Sequence, residues 1–235
     1  MERLIRTEML LGDRAMERLK NSHVAVFGLG GVGSWCAEAL ARSGIGELTL
    51  VDQDAVAESN INRQLVATYG TLGRSKAQVM AERAADISPD IKVHPICERY
   101  EAQNRDRFFQ CRYDYLVDAI DLVSCKVDLI ETALSLGIPI ISALGAGNKL
   151  DASLMQISDI SKTRGCSLAR VVRRELRRRG INHHMVVYSP EEPQKPEQAE
   201  EPPPGRRSVP GSLVWVTATS GMLLAQHVVL SLAGV

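Results

Sequence analysis

Three glycines and a carboxylate near the start of the chain have the spacing of a nucleotide-phosphate site. The stretch GLGGVG contains Gly28, Gly30 and Gly33, follows the apolar run HVAVF and precedes a helix-like segment. Glycine permits a tight turn and lets backbone N–H groups approach phosphate oxygens at the start of a helix. Asp52 ends a second apolar run, where a carboxylate can accept hydrogen bonds from ribose hydroxyls. These residues predict a bound adenine nucleotide and leave NAD, FAD and ATP open.

Additional cations, amides and a carboxylate follow the same predicted strands and favour ATP. The residues are Asn60, Arg63 and Gln64 in SNINRQ, Lys76 near the start of the next helix, and Asp121 after the fourth strand. A triphosphate carries more charge than a pyrophosphate and usually binds with a metal ion, so its site needs such groups. Singly, each residue is more typical of a surface ion pair or a helix cap. The loops after parallel strands meet at one edge of the sheet, so these residues are expected to lie together. As a set they predict ATP with Mg²⁺.

The elements that must hold these loops alternate along the chain. Short apolar runs predict strands over 23–28, 47–52, 91–97, 113–121 and 138–147. Helical periodicity predicts helices over 31–44, 73–89 and 126–137. This alternation predicts an α/β fold with a Rossmann-like, doubly wound, mainly parallel sheet that binds ligands at the carboxyl ends of its strands. The proline in the third strand favours a place at the sheet edge.

The remaining third of the chain predicts an extension of the same single domain, which spans 1–235. Residues 1–150 form the nucleotide-binding core, and 151–189 and 211–235 form the C-terminal extension of strands and helices. Residues 190–210 are rich in Pro and Glu and predict a flexible loop. Residues 212–235 are apolar enough to cross a bilayer, but their scattered polar side chains favour a short strand followed by a buried helix.

Composition limits the class of protein. Lys plus Arg and Asp plus Glu both number 28, so the net charge is zero and any basic partner surface must be local. The N-terminus has charges throughout and no apolar signal region, and the five cysteines form no C-x-x-C pair. We therefore expect a cytoplasmic protein without disulfides or a zinc ribbon. Cys125 and Cys166 are expected to be incidental thiols, the alternative being a sulfur relay that needs an exposed, low-pKa thiolate.

Positive charge is concentrated on one predicted helix, 167–180, which is preceded by Lys162 and Arg164. Its arginines are Arg170, Arg173, Arg174, Arg177, Arg178 and Arg179. Four of them, at 170, 173, 174 and 177, share a helical face opposite the apolar one. We predict salt-sensitive contact with an RNA phosphate backbone by Arg170, Arg173, Arg174, Arg177 and Arg178. The alternative is a solvated face partly paired with the acidic loop that follows.

A family resemblance rests on the stretch FGLGGVGSWCAEALARSGIGELTLVDQDAVAESNINRQ. Its doubled glycine, D-x-D, N-x-x-R-Q, the downstream lysine and the D-A-I-D strand end occur in the family's order. The chain resembles the adenylating domain shared by ubiquitin-activating enzymes and the bacterial activators of thiamin and molybdopterin sulfur carriers. The likeness covers roughly Arg6 to Gly147. The zinc-binding C-x-x-C pairs of the sulfur-carrier activators are missing.

The resemblance implies a role for each matching position. The nucleotide would be held by Gly28, Gly30, Gly31, Asp52, Asn60, Arg63, Gln64 and Lys76. Within that set the glycines line the phosphates and Asp52 holds the ribose, while Arg63 stabilises charge as pyrophosphate leaves. Asp121 would bind Mg²⁺. Arg6 falls where the family places an arginine that reaches into the partner subunit's site, which implies a catalytic homodimer.

Within the family, the chain is most similar to a tRNA-modifying branch. The likeness rests on the stretches WCAEALARSGIGELTLVD, YLVDAID and SDISKT, on the basic helix and on the C-terminal segment. This likeness implies that ATP adenylates the carboxylate of a threonylcarbamoyl group on a tRNA adenosine. The side chain's own nitrogen or oxygen then displaces AMP and closes a ring with net loss of water.

Three other hypotheses stay open at this point. The same adenylation could act on the C-terminal Gly-Gly carboxylate of a ubiquitin-like sulfur carrier, with a sulfur-transfer protein as partner. An NAD(P)-dependent oxidoreductase would explain the glycines and Asp52 but would leave Arg63, Lys76 and Asp121 without a task. A non-enzymatic nucleotide-binding scaffold could use the basic helix to hold RNA.

Overall fold

A computed structural model of the chain describes residues 2–195, 197 and 210–235. Within these residues there are seven strands: β1 His23–Phe27, β2 Glu47–Val51, β3 Lys92–Ile96, β4 Tyr115–Asp118, β5 Ile140–Ala143, β6 Gln156–Asp159 and β7 Met185–Tyr188. Seven α-helices accompany them: α1 Ile5–Leu11, α2 Asp13–Lys20, α3 Gly33–Arg42, α4 Lys76–Ile87, α5 Val123–Ser135, α6 Ser167–Arg178 and α7 Val214–Ala233. Each strand and helix that the sequence predicts up to residue 189 has its counterpart here.

The strands form one sheet in the order β3-β2-β1-β4-β5-β7-β6. Every pairing is parallel except that of β6 with β7, which is antiparallel. The predicted Rossmann-like, mainly parallel α/β fold is confirmed. Strand β3, which contains Pro95, lies at the sheet edge, where a residue without an N–H group removes the fewest ladder hydrogen bonds. Strands β6 and β7 extend the sheet that β1 to β5 form.

Helices cover both faces of the sheet, and a separate hydrophobic cluster fills each face. One cluster packs α2, α3, α4 and α7 against the sheet and includes Leu40, Met80 and Leu224. The other packs α5 and α6 against the opposite face and includes Phe27, Leu129 and Val172. Burial on both faces explains why the central strands are continuous apolar runs rather than alternating ones.

The C-terminal segment departs from its prediction. It contains no strand, because one 20-residue helix, α7, begins at Val214 and continues to Ala233. Its β-branched residues favour a strand locally, but packing against α3 favours the helix and decides the outcome. A Cβ on Gly221 would lie 2.5 Å from the carbonyl oxygen of Val32, so only glycine permits this close approach. By length and composition α7 is apolar enough to cross a membrane, yet half of its apolar window is buried inside the protein.

Most of the predicted flexible loop over 190–210 lies outside the described residues. Its two ends are described and are fixed near one another. The backbone N–H of Gln194 donates to the carbonyl of Asn148, and the N–H of Gly211 donates to the Asn148 side-chain oxygen. Glu191 accepts from the backbone N–H groups of Leu150 and Asp151. The two ends therefore meet at residues 148–151, in the loop that follows β5.

Candidate nucleotide-binding site

A cavity of about 730 Å³ opens at the carboxyl ends of β1, β2, β4 and β5. Its volume is in the range of ~300–1,000 Å³ that is usual for small-molecule sites. Of the residues that sequence analysis assigns to the nucleotide site, the following line it: Gly28, Gly30, Gly31, Asp52, Arg63, Gln64, Lys76 and Asp121. Loops that are far apart in sequence thus meet where the strand order predicts.

The glycines of the first loop meet different steric demands. Gly28 has φ +89°, and a Cβ there would lie 2.7 Å from the carbonyl oxygen of Ala119. A Cβ on Gly33 would lie 1.7 Å from the carbonyl oxygen of Gly28, so the turn into α3 closes only with glycine. A Cβ on Gly30 would meet nothing nearer than the Gln64 amide nitrogen at 3.9 Å. Its bare backbone therefore leaves room in the cavity for a ligand's phosphate group.

Asp52 is fastened to the glycine loop at the end of β2. Its Oδ2 accepts a hydrogen bond of 2.6 Å from the Leu29 N–H, and its Oδ1 accepts one of 2.8 Å from the Asp54 N–H. Burial raises the pKa of the Asp52 carboxyl, and these two N–H donors act in the opposite direction. Each carboxylate oxygen keeps a lone pair that can accept from a ribose hydroxyl.

Arg63 and Asn60 belong to the same turn but face different surroundings. Arg63 lines the cavity, and its Nη1 donates to the Ser59 carbonyl at 2.9 Å and to Asn62 Oδ1 at 2.7 Å. Asn60 is not among the lining residues, and its Oδ1 accepts from the Ala57 N–H at 3.3 Å. Asn60 thus stabilises the turn that carries Arg63, and the structure does not bring its side chain to the cavity.

Lys76 begins α4, and its side chain is almost completely buried at the edge of the cavity. Its Nζ donates to Asp54 Oδ2 at 3.0 Å. A buried ammonium requires an anionic or polar partner, and the more exposed Asp54 supplies it here. A phosphate group in the cavity would offer this ammonium a second anion.

A buried lysine that was not predicted from the sequence anchors the loop after β4. Lys126 and Asp118 are both fully buried, and Lys126 Nζ donates to Asp118 Oδ2 at 2.7 Å and to the Ala143 carbonyl at 3.1 Å. Asp118 also accepts from the Ile120 N–H at 3.0 Å, next to the lining residue Asp121. The pair thus joins the ends of β4 and β5. A lysine at the start of an amphipathic helix is typical of a surface position, so no local signal identified it.

Two further polar side chains fit a ligand in the cavity. Gln64 is buried, and its Oε1 has no hydrogen-bond partner among the residues described. Buried polar atoms are normally hydrogen-bonded, so a ligand group is the expected partner. Thr217, near the start of α7, also lines the cavity and was missed because α7 is far from the glycine loop in sequence.

The cysteines are all free, as expected. Cys125 and Cys166 both line the cavity. Burial raises the pKa of the Cys125 thiol, which is opposite to the shift that a sulfur relay requires. Cys166 caps α6, because its Sγ accepts from the Ala169 N–H at 3.3 Å.

The arginines of α6 surround a shallow groove outside the nucleotide cavity, lined by Arg170, Arg173, Arg174, Arg177 and Arg178. Arg173 is half-buried, and its Nη1 donates to the Thr163 carbonyl at 2.9 Å and to the Ile160 carbonyl at 3.2 Å. It therefore fixes the preceding turn to the helix. Arg174 and Arg178 form ion pairs with Glu175. For Arg170 and Arg177 the described residues supply no side-chain ion pair or hydrogen bond.

Arg6 does not line the cavity of its own chain. It lies on α1 and is exposed, beside exposed apolar side chains of Ile5, Met9 and Leu10. An apolar patch next to a cation is a suitable surface for contact with a second subunit.

The fold and the cavity define a Rossmann-like α/β protein with a nucleotide site at the carboxyl ends of its parallel strands. Comparison with known proteins narrows this class. The chain belongs to the ThiF family, whose family model matches residues 1–235.

Two relatives resemble the chain over nearly its whole length. The tRNA threonylcarbamoyladenosine dehydratase of Bacillus subtilis is 41% identical, over 97% of this chain and 93% of the relative. The crystal structure of the Escherichia coli tRNA N6-threonylcarbamoyladenosine dehydratase in complex with ATP superposes with a TM-score of 0.89. That enzyme is 34% identical, and the match covers 99% of this chain and 94% of the other. A complex of the same enzyme with AMP superposes with a TM-score of 0.90.

Proposed function

We propose that the protein is an ATP-dependent tRNA threonylcarbamoyladenosine dehydratase. One observation carries the proposal most directly: the glycine loop, Arg63, Lys76 and Asp121 line one cavity. An NAD-dependent oxidoreductase needs only the glycines and Asp52, whereas triphosphate cleavage also needs the cations and the carboxylate. The whole-length likeness to dehydratases, one of them solved with ATP, supports the same substrate class.

The nucleotide is bound by groups that occupy fixed positions. The backbone of Gly30 and Gly31 receives the phosphates at the start of α3, where N–H groups and the helix dipole favour negative charge. Asp52 accepts from the ribose hydroxyls. Lys76, held by Asp54, neutralises phosphate charge without leaving its position.

Adenylation is an in-line displacement at the α-phosphorus. The substrate carboxylate forms a bond to that phosphorus while the bond to the β-phosphate oxygen breaks, and pyrophosphate leaves. Arg63 stabilises the charge that grows on the departing pyrophosphate, a contribution that is largest in the transition state. Asp121 is the residue that would hold Mg²⁺, whose charge would further neutralise the phosphates when it is bound.

Ring closure follows without a covalent enzyme intermediate. A nitrogen or oxygen of the threonylcarbamoyl side chain attacks the activated acyl carbon and loses its proton. AMP leaves with one of the former carboxylate oxygens, so the nucleoside loses the elements of water. No thiolate is needed, which agrees with the raised pKa of Cys125.

The tRNA is bound by the basic surface of α6. Arg170, Arg174, Arg177 and Arg178 supply sequence-independent contacts to the phosphate backbone, and Arg173 holds the helix in place. We also propose a homodimer in which Arg6 of one subunit reaches the nucleotide cavity of the other. The exposed apolar side chains around Arg6 support this arrangement.

The defining experiment incubates the protein with tRNA that carries threonylcarbamoyladenosine, ATP and Mg²⁺. We expect AMP, pyrophosphate and a nucleoside about 18 Da lighter. Lys76→Ala and tRNA without the threonylcarbamoyl group are the controls, and neither should give product. ATP–pyrophosphate exchange with a ubiquitin-like sulfur carrier and no tRNA would instead favour the alternative substrate. The proposal is contradicted if the mass of the nucleoside is unchanged although the protein is folded and binds ATP.

A further inference from the structure

A second group of potential ligands lies at the amino ends of three neighbouring strands, at the opposite end of the sheet from the nucleotide cavity. His23 begins β1, Glu47 begins β2, and His94 is the third residue of β3. The register pairs His23 with Glu47 and Thr49 with His94. Parallel pairing at this register therefore brings residues from three separate segments to one place.

We propose that His23, Glu47 and His94 form a binding site for a divalent transition-metal ion, with Zn²⁺ as the best fit. One ligand atom from each residue lies within 4.8 Å of the others. His94 Nε2 is 2.8 Å and His23 Nδ1 is 3.7 Å from Glu47 Oε1. Two imidazole nitrogens and one carboxylate oxygen are a ligand set that Zn²⁺ takes at ~2.0–2.2 Å, with a fourth position left for water.

The surroundings of His23 orient its ring for this task. Its Nε2 lies 2.8 Å from Thr49 Oγ1, and the ring of Tyr113 packs edge-on at a centroid distance of 4.8 Å. When Nε2–H donates to Thr49, the lone pair of Nδ1 faces the Glu47 carboxylate. A metal ion bound between them would accept the Nδ1 lone pair and a carboxylate oxygen as ligands. Histidines that bind metal ions commonly donate their second N–H to a protein group, as His23 does to Thr49 here.

The exposure of the three side chains suits entry of an ion from solvent. His23 is nearly buried, Glu47 is partly buried, and the side chain of His94 is 52% exposed. The sheet thus fixes the two less exposed ligands, His23 and Glu47, and the exposed His94 completes the site from the solvent side. Because β3 is an edge strand, a metal ion here would join it to β2 and β1 through side chains as well as backbone hydrogen bonds.

This site is separate from the proposed nucleotide site. Strand β1 runs from His23 in this site to Phe27 at the nucleotide cavity, a distance of about 13 Å at ~3.3 Å per residue. We therefore expect metal binding here to affect stability rather than ATP turnover. Failure of this inference and failure of the proposed function can be told apart, because the first is measured as metal binding without nucleotide.

The test uses the full-length protein, freed of metal with a chelator and kept reduced. Titration with Zn²⁺ followed by calorimetry should show one site per chain, and Zn²⁺ should raise the Tm. His94→Ala should bind at least tenfold more weakly and lose the rise in Tm. His183→Ala is the matched control, because His183 is an exposed histidine paired with Asp159 away from this cluster. It should behave as wild type.

Co²⁺ in place of Zn²⁺ distinguishes this site from the exposed thiols of Cys97 and Cys111. A site made of nitrogen and oxygen ligands gives visible d–d bands without a thiolate-to-cobalt charge-transfer band. Equal affinity of wild type and His94→Ala, absence of saturable binding, or a thiolate band at stoichiometric Co²⁺ would each overturn the inference.

Discussion

In the proposed mechanism, Arg63 is the side chain that distinguishes ATP cleavage from dinucleotide binding. It lines the cavity, and its guanidinium is oriented by the Ser59 carbonyl and Asn62 Oδ1. A guanidinium held in this way does not need to reorganise when charge develops on the leaving group. Preorganised donors of this kind are among the largest contributors to catalysis.

Arg63→Ala should lower the rate of AMP formation by about 10²–10³-fold, while the Kd for ATP changes only a few-fold. The rate falls more than the affinity because the charge on the departing pyrophosphate is greatest in the transition state. Single-turnover kinetics and equilibrium ATP binding measure the two effects separately. Arg74→Ala is the control, since Arg74 is exposed and paired with Glu82. Normal turnover by Arg63→Ala would show that its assigned role is wrong.

At the scale of elements, helix α6 combines a structural face with the face that we propose binds tRNA. Val172 and Leu176 pack into the core, and Arg173 holds the turn before the helix. Arg170 and Arg177 project from the exposed side into the groove. A mutation of any α6 arginine therefore cannot be interpreted without knowing which of these faces it changes.

Replacing Arg170 and Arg177 with alanine should weaken tRNA binding and leave the fold intact. Each lost phosphate contact removes about 0.7–0.9 from the slope of log K against log salt, so the double variant should be shallower by about 1.5. Binding measured across a range of salt concentrations gives this slope. Arg42→Ala with Arg74→Ala, two exposed arginines outside α6, serves as the matched control. An unchanged slope in the α6 variant would leave only the solvated-face interpretation.

At the scale of the whole molecule, the proposed active site depends on a second subunit. Mixing Arg6→Ala protein with Arg63→Ala protein tests this directly. In a mixed dimer, one site combines intact Arg63 with intact Arg6 from the partner and the other site lacks both. Random exchange should therefore restore roughly a quarter of wild-type activity, given the two-fold symmetry of a homodimer. If the mixture stays as inactive as its components, Arg6 does not act across subunits.

The buried centre of the molecule also makes its stability depend on pH. Burial and the neighbouring Lys126 ammonium lower the pKa of His184 from 6.5 to about 3. Between these values the unfolded chain binds a proton that the native state excludes, so stability falls as pH decreases. The loss approaches about 1.4 kcal/mol per pH unit below the unfolded pKa.

His184→Gln, which can keep the hydrogen bond to Ser142, should have a shallower dependence. Urea unfolding between about pH 6 and 5 measures it, in a window above the titration of most carboxyls. His23 and His227, whose pKa burial also lowers, leave some slope in the variant. Equal slopes in His184→Gln and wild type would contradict this assignment.

The sequence by itself determined the sheet and most of the cavity. Apolar runs and helical periodicity depend on near neighbours, so they located strands β1 to β5 and helices α3 to α6, although not α1 and α2. Gly28 and Gly33 were identifiable because a tight turn before a helix restricts residue type within a few positions. Parallel topology then implied that Asp52, Arg63, Lys76 and Asp121 lie together, because successive loops return to one edge.

Only the tertiary structure decided contacts between segments that are distant in sequence. It paired Lys126 with Asp118 in the interior, turned Arg173 inward and left Asn60 outside the cavity. It also made Val214 the start of a helix through packing on α3, and joined His23, Glu47 and His94 across three strands. These outcomes depend on strand order, register and burial, which cannot be read from a short stretch of sequence. The free energy of a buried pair, for example, depends on residues that meet only after folding.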